Sequence, residues 1–174
     1  MNITKQAELE NVKDQFIAQW GSLGTNWGIN RTMAQIHALL LISSEVISTN
    51  EIMEELRISR GNANTNLRDL VGWGLIRIVV KKGERMEYFE AEKDVWRMFC
   101  IISRERKRRE VEPAITVLKR CVGQTKLIKT KEAKQFNTQL TELLEFVELC
   151  DSLLEKASRS EKSSIVPAVL KLFK

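Results

Sequence analysis

Apolar residues recur three and four positions apart along most of the chain, and this spacing predicts a series of amphipathic helices. Helices are predicted over residues 4–23, about 31–43 and about 49–56, and a fourth one over residues 59–74. The second of these helices is apolar on most of its sides. We therefore expect it to lie in the middle of a domain.

The apolar period changes from helical spacing to alternation directly after Gly74. Residues 75–81 are rich in β-branched side chains and residues 85–90 alternate, so both stretches predict strands. Lys82, Gly83 and Glu84 form the turn between them. The sequence therefore predicts a two-stranded hairpin with a cationic tip behind the fourth helix.

Helix-start signals mark the third and fourth helices. Ser48 and Glu51 have the S-x-x-E spacing of a capping box, and Ser59 can accept from the free amides of the helix that follows it. Only Arg57 and Ile58 remain as a tight turn between the two helices. Together with the hairpin, this order predicts a winged helix-turn-helix.

The fourth helix carries an unusual number of asparagines. Three of them lie within five residues although asparagine is a poor helix former, which suggests another use for their side chains. In the major groove, asparagine pairs with adenine edges and arginine with guanine edges. An ordinary solvated helix face is the alternative. The candidate DNA-binding residues are Ser59, Arg60, Asn62, Asn64, Thr65 and Arg68 on this helix and Lys81, Lys82 and Arg85 on the hairpin, with Asn62, Thr65 and Arg68 facing the groove.

The C-terminal part of the chain is predicted to be helical from about Asp94, with a basic segment near its start. Residues 104–109 hold five cations in six positions. Such a run is either a solvated face paired with Glu105 and Glu110 or a contact to the DNA backbone. Pro113 removes a backbone donor, so the helix should kink or break nearby.

A heptad pattern covers about residues 131–158. A seam of this length needs a large apolar partner surface. The N-terminal helix and the helix at 111–122 could supply some of that surface, and a second copy of the chain could supply the rest. The seam residues are Phe136, Leu140, Leu143, Val147, Cys150, Leu154 and Ala157.

These elements predict a mainly α fold in three parts. An N-terminal dimerisation or packing helix occupies residues 1–26, a winged helix-turn-helix DNA-binding domain 27–94, and a C-terminal helical dimerisation region 95–174. Within the last part, a polar hinge is expected at 158–164 and a short apolar tail at 165–173.

Composition narrows the class of protein further. Of the 174 residues 43% are hydrophobic, enough for a packed core, and the net charge of +5 is only mildly basic. No apolar run is long enough for a membrane span, and no signal peptide is expected. One histidine, no glycine-rich phosphate loop and three cysteines without metal-ligand spacing argue against an enzyme, a cofactor or a metal site. A reduced, cytoplasmic protein is the expectation.

A series of motifs runs through the winged-helix region in a fixed order. The motifs are Trp27-Gly28, AQIHALL at 34–40, Glu51-Ile52, ISRGNAN at 58–64, LRDL at 67–70, WGLI at 73–76, Gly83-Glu84-Arg85, Tyr88-Phe89 and AEKDVW at 91–96. In that order and spacing, over about residues 20–100, the chain resembles the GbsR family, a branch of the MarR-like winged-helix repressors.

The resemblance implies a homodimeric, DNA-binding transcriptional regulator whose terminal helices form the dimer interface. It also implies that Arg85 is the wing arginine and that Glu84 takes the place of the acidic residue that steadies it. Family members often respond to effectors, and some act in choline and glycine-betaine control. No ligand motif can be matched here residue by residue.

An effector pocket is a separate hypothesis from the residues themselves. Trp20 and Trp27 could flank a pocket for a small-molecule quaternary ammonium ligand through cation–π attraction, or they could be plain core and interface anchors. The leading prediction is a dimeric, effector-responsive repressor bound to double-stranded DNA. The alternative is a winged-helix protein–protein interaction module without sequence-specific DNA binding.

Overall fold

The computed structural model describes residues 2–159, with side chains from 5 to 156. The chain divides into two compact units, Met1–Asp94 and Val95–Lys174. The hinge predicted at 158–164 lies almost wholly outside the described residues, and the tail predicted at 165–173 lies wholly outside them. Over the described range, no helix has both the length and the apolar composition that a membrane span requires.

The first unit is a winged helix-turn-helix preceded by a long helix, which confirms the predicted fold class. The helix α2 lies at its centre and packs against α1, α3, α4 and β3. Asn30 caps α2 by accepting from the amides of Thr32 and Met33. Its elements are α1 (Asn2–Asn26), α2 (Arg31–Ile42), β1 (Ile47–Ser48), α3 (Thr49–Leu56), α4 (Arg60–Trp73), β2 (Ile76–Val79) and β3 (Tyr88–Ala91).

Two glycines on α1 allow α2 to approach closely. A Cβ atom added to Gly24 would lie 2.6 Å from the Cβ of Ala34, and one added to Gly21 would lie 2.6 Å from Cγ of Gln35. Both distances are far below van der Waals contact. The crossing of α1 and α2 therefore depends on the absence of side chains at these positions.

The helix-turn-helix is built by the predicted caps. Ser48 and Glu51 form a complete capping box at the start of α3, and the hydroxyl of Ser59 accepts from the amide of Asn62 at the start of α4. Between them, Arg57 adopts the left-handed conformation with φ 51° and ψ 47°. This single left-handed residue makes the turn short enough to set α4 directly after α3.

The sheet has three strands rather than the two of the predicted hairpin. The order is β1-β3-β2, all antiparallel, with Ile47 opposite Phe89 on one side and Ile78 opposite Phe89 on the other. The strand β1 is only two residues long, so no alternation could reveal it in the sequence. By pairing with β3, it ties the base of the wing to the start of α3.

A lysine from after the sheet closes the C-terminal end of α2. The ammonium of Lys93 donates to the carbonyl oxygens of Leu40 and Leu41 at 2.7 Å and of Ser43 at 2.6 Å. These carbonyls have no partner within the helix, and the cation also suits the negative end of the helix dipole. One turn earlier, the side chain of His37 is buried in the core with 4% of its surface exposed.

The second unit is a bundle of helices: α5 (Val95–Arg106), a π-helical segment (Lys107–Val111), α6 (Glu112–Thr125) and α7 (Lys131–Arg159). The predicted distortion at Pro113 takes the form of the π-helical segment, in which the amide of Glu112 donates to the carbonyl of Lys107. A proline ring would clash with the carbonyl four residues earlier, and the wider turn avoids that clash.

The basic segment 104–109 is tied into the second unit by ion pairs. Glu105 has only 9% of its surface exposed and binds Arg108 through contacts of 2.6 and 3.0 Å. Lys107 lies 3.2 Å from Asp151 and 3.0 Å from Glu155, both on α7. These contacts support the paired-face interpretation of the segment over a contact to the DNA backbone.

The helix α7 has one face on the bundle and one face exposed. On the bundle side, the Asn137 amide donates to Val122 O at 2.8 Å and to Thr125 Oγ1 at 2.6 Å. Several large apolar side chains remain exposed, with Phe146 the most exposed at 63%. They include three members of the predicted seam, and the exposed set is Phe136, Leu143, Phe146, Leu149, Leu153 and Leu154.

Candidate nucleic-acid interface

The helix α4 presents a distinct outer face. Ala63, Leu67 and Leu70 are buried in the core. Roughly opposite them on the helix, Gly61, Thr65, Arg68 and Gly72 follow one another at helical spacing and are exposed. The face is therefore low in profile, with Arg68 as its longest side chain.

Two of the three asparagines have structural partners. Asn66 is buried with 4% of its surface exposed, and its amide donates to Oδ1 of Asn62 at 2.7 Å and to the Asn62 carbonyl oxygen at 2.8 Å. The amide of Asn62 in turn donates to the hydroxyl of Thr32 on α2 at 3.3 Å. Asn62 thus lies on the flank facing α2, with both ends of its carboxamide engaged, rather than on the outer line with Thr65 and Arg68.

Asn64 lies on the opposite flank of α4, beside the wing. It lines a groove of about 380 Å³ between α4 and the sheet, to which Arg68 also contributes. The floor of this groove is formed by Leu67, Ile78 and Phe89. Asn64 also lines a second cavity of about 380 Å³ at the base of the wing, so this cavity and the groove are adjacent.

The cavity at the base of the wing brings together two of the predicted phosphate-contacting residues. Arg60 from the first turn of α4 and Arg85 from the wing both line it. Nη2 of Arg60 donates to Oδ1 of Asn50 on α3 at 2.8 Å. Asn50 was not among the predicted site residues, because nothing in the sequence links positions 50 and 60 across the tight turn.

The wing is held in shape by its own side chains. The ammonium of Lys81 lies 3.8 Å from the centre of the Tyr88 ring, and the Tyr88 hydroxyl donates to the carboxylate of Glu84. That hydrogen bond raises the pKa of Tyr88. Glu84 therefore steadies the wing through Tyr88, rather than through Arg85 as the family resemblance implied.

Several cations of this surface differ from Lys107 and Arg108 of the basic segment 104–109, which are paired with carboxylates. Among the described residues, Arg68, Lys82 and Arg85 form no ion pair, and all three are exposed. Arg77 is a contrast on the same sheet, because it is paired with Glu90 at 2.6 Å. Positive charge is thus left unneutralised along α4 and the wing.

The two tryptophans of the predicted effector pocket lie near the end of α1. Trp20 packs against Phe16, with ring centroids 5.5 Å apart. Trp27 follows the last residue of α1 and has 57% of its surface exposed. The described contacts therefore pair Trp20 with Phe16, and a shared pocket with Trp27 stays a prediction.

The sequence of the chain is similar to those of known transcriptional regulators. Residues 27–85 match the family model described as the MarR family. The HTH-type transcriptional repressor GbsR of Bacillus subtilis (strain 168) is 22% identical over 174 residues, which cover 95% of this chain and 96% of that protein. The chain is thus similar to GbsR, and its residues 27–85 are similar to the MarR family. These similarities support a DNA-binding transcriptional regulator.

A solved structure shares the fold of the regulator. It is described as a crystal structure of a transcriptional regulator, with a TM-score of 0.65 and 21% identity over 84% of this chain and 95% of that chain. At that identity the likeness bears on the fold alone.

Proposed function

We propose that this regulator is a homodimeric repressor that recognises a specific DNA sequence with the outer face of α4. The observation that carries the proposal is the position of the unpaired cations. Arg68 lies on the outer face itself, and Arg60 and Arg85 lie together on its wing side. A low helix face flanked by cations has the shape and charge that insertion into the major groove requires.

In this proposal, some side chains contact base edges and others contact phosphates. Arg68 and Thr65 are exposed on the outer line, where base edges are reached, and Arg68 can pair with a guanine. Arg60, Lys82 and Arg85 flank that line and suit phosphate contacts, which fix the register of the protein on the duplex. Gly61 and Gly72 add no bulk, and they would let the helix backbone come close to the groove.

The exposed apolar face of α7 supports the homodimer. Phe146, Leu149 and Leu153 lie on one side of the helix, and each is more than half exposed. A contiguous apolar surface of this kind marks an interaction site in soluble proteins. Pairing with the same face of a second copy would bury it, and a dimer would present two copies of α4 to successive major grooves about one helical turn apart.

The dimer is tested by placing a charge in the proposed interface. Because Leu149 is exposed, Leu149→Asp should leave the folded protomer intact and shift sedimentation from dimer to monomer. Thr138→Asp, at an exposed polar position of the same helix, is the control. An unchanged sedimentation coefficient for Leu149→Asp would remove this face from the interface.

Repression by operator occupancy and response to an effector complete the proposal. The similarity to a protein named as a repressor supports the first. For the second, the half-buried Trp20 and the exposed Trp27 are candidates for binding a quaternary ammonium compound such as choline or glycine betaine through cation–π attraction. Titrating each compound while following tryptophan fluorescence and release from DNA tests this part, with Trp27→Phe to assign the signal.

The deciding experiment is fluorescence anisotropy with a duplex from the region upstream of the regulator's own gene, in competition with a mixed-sequence duplex. Arg68→Ala should weaken specific binding by about 1–3 kcal/mol, the value of one bidentate base contact. The control is Arg77→Ala, because Ile78 faces the groove beside α4 and Arg77 therefore points to the other side of the sheet. Equal affinity for both duplexes would favour the alternative of a protein–protein interaction module.

A further inference from the structure

The cavity at the base of the wing lies where three elements of the first unit meet. Thr49 and Asn50 reach it from the first turn of α3, Arg60 from the first turn of α4, and Arg85 and Met86 from the wing. Its volume is about 380 Å³. The lining is almost entirely polar, with Met86 as its one apolar member.

Asn50 connects two sides of this cavity. Its Oδ1 accepts from Nη2 of Arg60 at 2.8 Å, and its Nδ2 donates to the sulfur of Met86 at 3.6 Å. Both ends of the carboxamide are therefore engaged, which fixes the amide between α4 and the wing. The contact occupies one of the five donors of the Arg60 guanidinium and leaves the others available.

We infer that this cavity is a phosphate cradle for the DNA backbone and that Asn50 is its positioning residue. The inference rests on the proposed function, because it names how that surface holds its DNA. Two arginines converge on the cavity, and the planar guanidinium group matches the geometry of a phosphate. Glu87 is the one acidic residue that lines it, so the cavity keeps a net positive charge.

A neutral amide is the suitable partner for Arg60 in such a cradle. A carboxylate at position 50 would form an ion pair with Arg60 and compete with the phosphate for it. The hydrogen bond from the guanidinium to the neutral carboxamide orients the Arg60 side chain and leaves its positive charge available to the phosphate. Asn50 therefore acts on DNA through Arg60, and its contribution should vanish when Arg60 is removed.

The test measures binding to a fluorescein-labelled, mixed-sequence 30-base-pair duplex over a series of KCl concentrations. A phosphate contact is independent of sequence, so no operator is needed. Arg60→Ala should lower the slope of log K against log [KCl] by roughly 0.9. Asn50→Ala should weaken binding about tenfold, in the range for one hydrogen bond to a charged group, and lower the slope in the same direction. Asn50→Asp should weaken binding further.

Two further variants separate positioning from a general structural role. In the Arg60→Ala background, Asn50→Ala should cause no additional loss of affinity, whereas a structural defect would persist. Glu87→Gln removes the negative charge from the same cavity and should strengthen binding. Asn11→Ala, an exposed helical asparagine that accepts from Gln15, is the control for loss of a surface carboxamide.

The outcomes distinguish this inference from the proposed function. A wild-type protein that binds none of the duplexes overturns both. A wild-type protein that binds DNA while Asn50→Ala binds equally well, or while Glu87→Gln binds no better, overturns the cradle and leaves the proposed function standing. Equal losses from Asn50→Ala with and without Arg60 would also overturn the positioning role.

Discussion

The buried histidine of α2 should make the stability of the first unit depend on pH. Nε2 of His37 is buried and has no hydrogen-bond partner within the described residues. Burial, with a smaller contribution from the cation of Lys93, lowers the pKa of His37 from its ordinary value of 6.5 to about 4. Protonating this side chain in the folded protein would place an unpaired charge in the core.

The sign and size of the effect follow from proton linkage. The unfolded chain takes up a proton near pH 6.5, and the folded one only near its lowered pKa of about 4. The stability is therefore fully present above pH 6.5 and is lost as the pH falls towards 4. The two pKa values correspond to about 3 kcal/mol in total, of which about 2 kcal/mol is lost by pH 5. Small domains have about 5–15 kcal/mol of stability in all.

The assay is urea unfolding, followed by circular dichroism, of the wild type and His37→Leu between pH 7.5 and 5 at one protein concentration. His37 is the only histidine of the chain, so the variant should show a much flatter profile over this range. The pKa values of Glu51 and Glu105 are lowered below their ordinary value of 4.5 by hydrogen bonds from Ser48 and Arg108, so these groups act at lower pH. If both proteins lost the same free energy of unfolding between pH 6.5 and 5, the burial of His37 would not be the cause.

Three further tests, two of them with a matched second substitution, concern the packing and the site. Lys93→Met removes the cation that closes the end of α2 and should lower the free energy of unfolding by about 1–3 kcal/mol, because three carbonyl groups lose their charged partner; an unchanged urea midpoint would contradict this. Gly24→Ala should lower the free energy of unfolding by about 1–3 kcal/mol, because the new methyl group would overlap a methyl group on α2. Gly21→Ala should lower it less, because the flexible glutamine side chain beside it can move away. Equal urea midpoints for the two variants would count against the close helix crossing. Gly61→Ala should raise the free energy of unfolding by up to about 1 kcal/mol, and with it the melting temperature, while it weakens DNA binding. Gly123→Ala, which also has open space around it, should raise the melting temperature without changing DNA binding.

Much of the first unit could be predicted because its determinants are local. Ser48 and Ser59 cap the helices at the positions that the sequence indicates, since capping involves residues only two or three positions apart. The strand β1 was not predicted, because two residues are too few to show a periodic pattern. The left-handed conformation of Arg57 was not predicted either, because it depends on the geometry of the turn. Glu84 bonds to Tyr88, four residues further along the same arm of the wing, whereas the family resemblance implied Arg85 as its partner.

Two of the three asparagines of α4 also have partners within the domain. Their number suggested a DNA-reading face, but the amide of Asn66 is buried against Asn62, and Asn62 reaches Thr32 on α2. Part of the cost of placing asparagine in this helix is thus offset by packing within the domain. Asn50 was overlooked for the opposite reason, since it lies outside α4 and meets Arg60 only in the folded unit.

Pairing, more than the density of charge, distinguishes the candidate interface from the rest of the surface. The densest basic segment, 104–109, is largely committed to carboxylates, with Lys107 bound to Asp151 and Glu155. The cations of α4 and the wing are more widely spaced, but Arg68 and Arg85 have no such partners among the described residues. A cation already paired must give up its carboxylate before it can release counterions from a phosphate, so its net contribution to DNA affinity is small. A modest net charge of +5 is therefore compatible with a DNA-binding surface, because several cations without carboxylate partners lie along one helix and its wing.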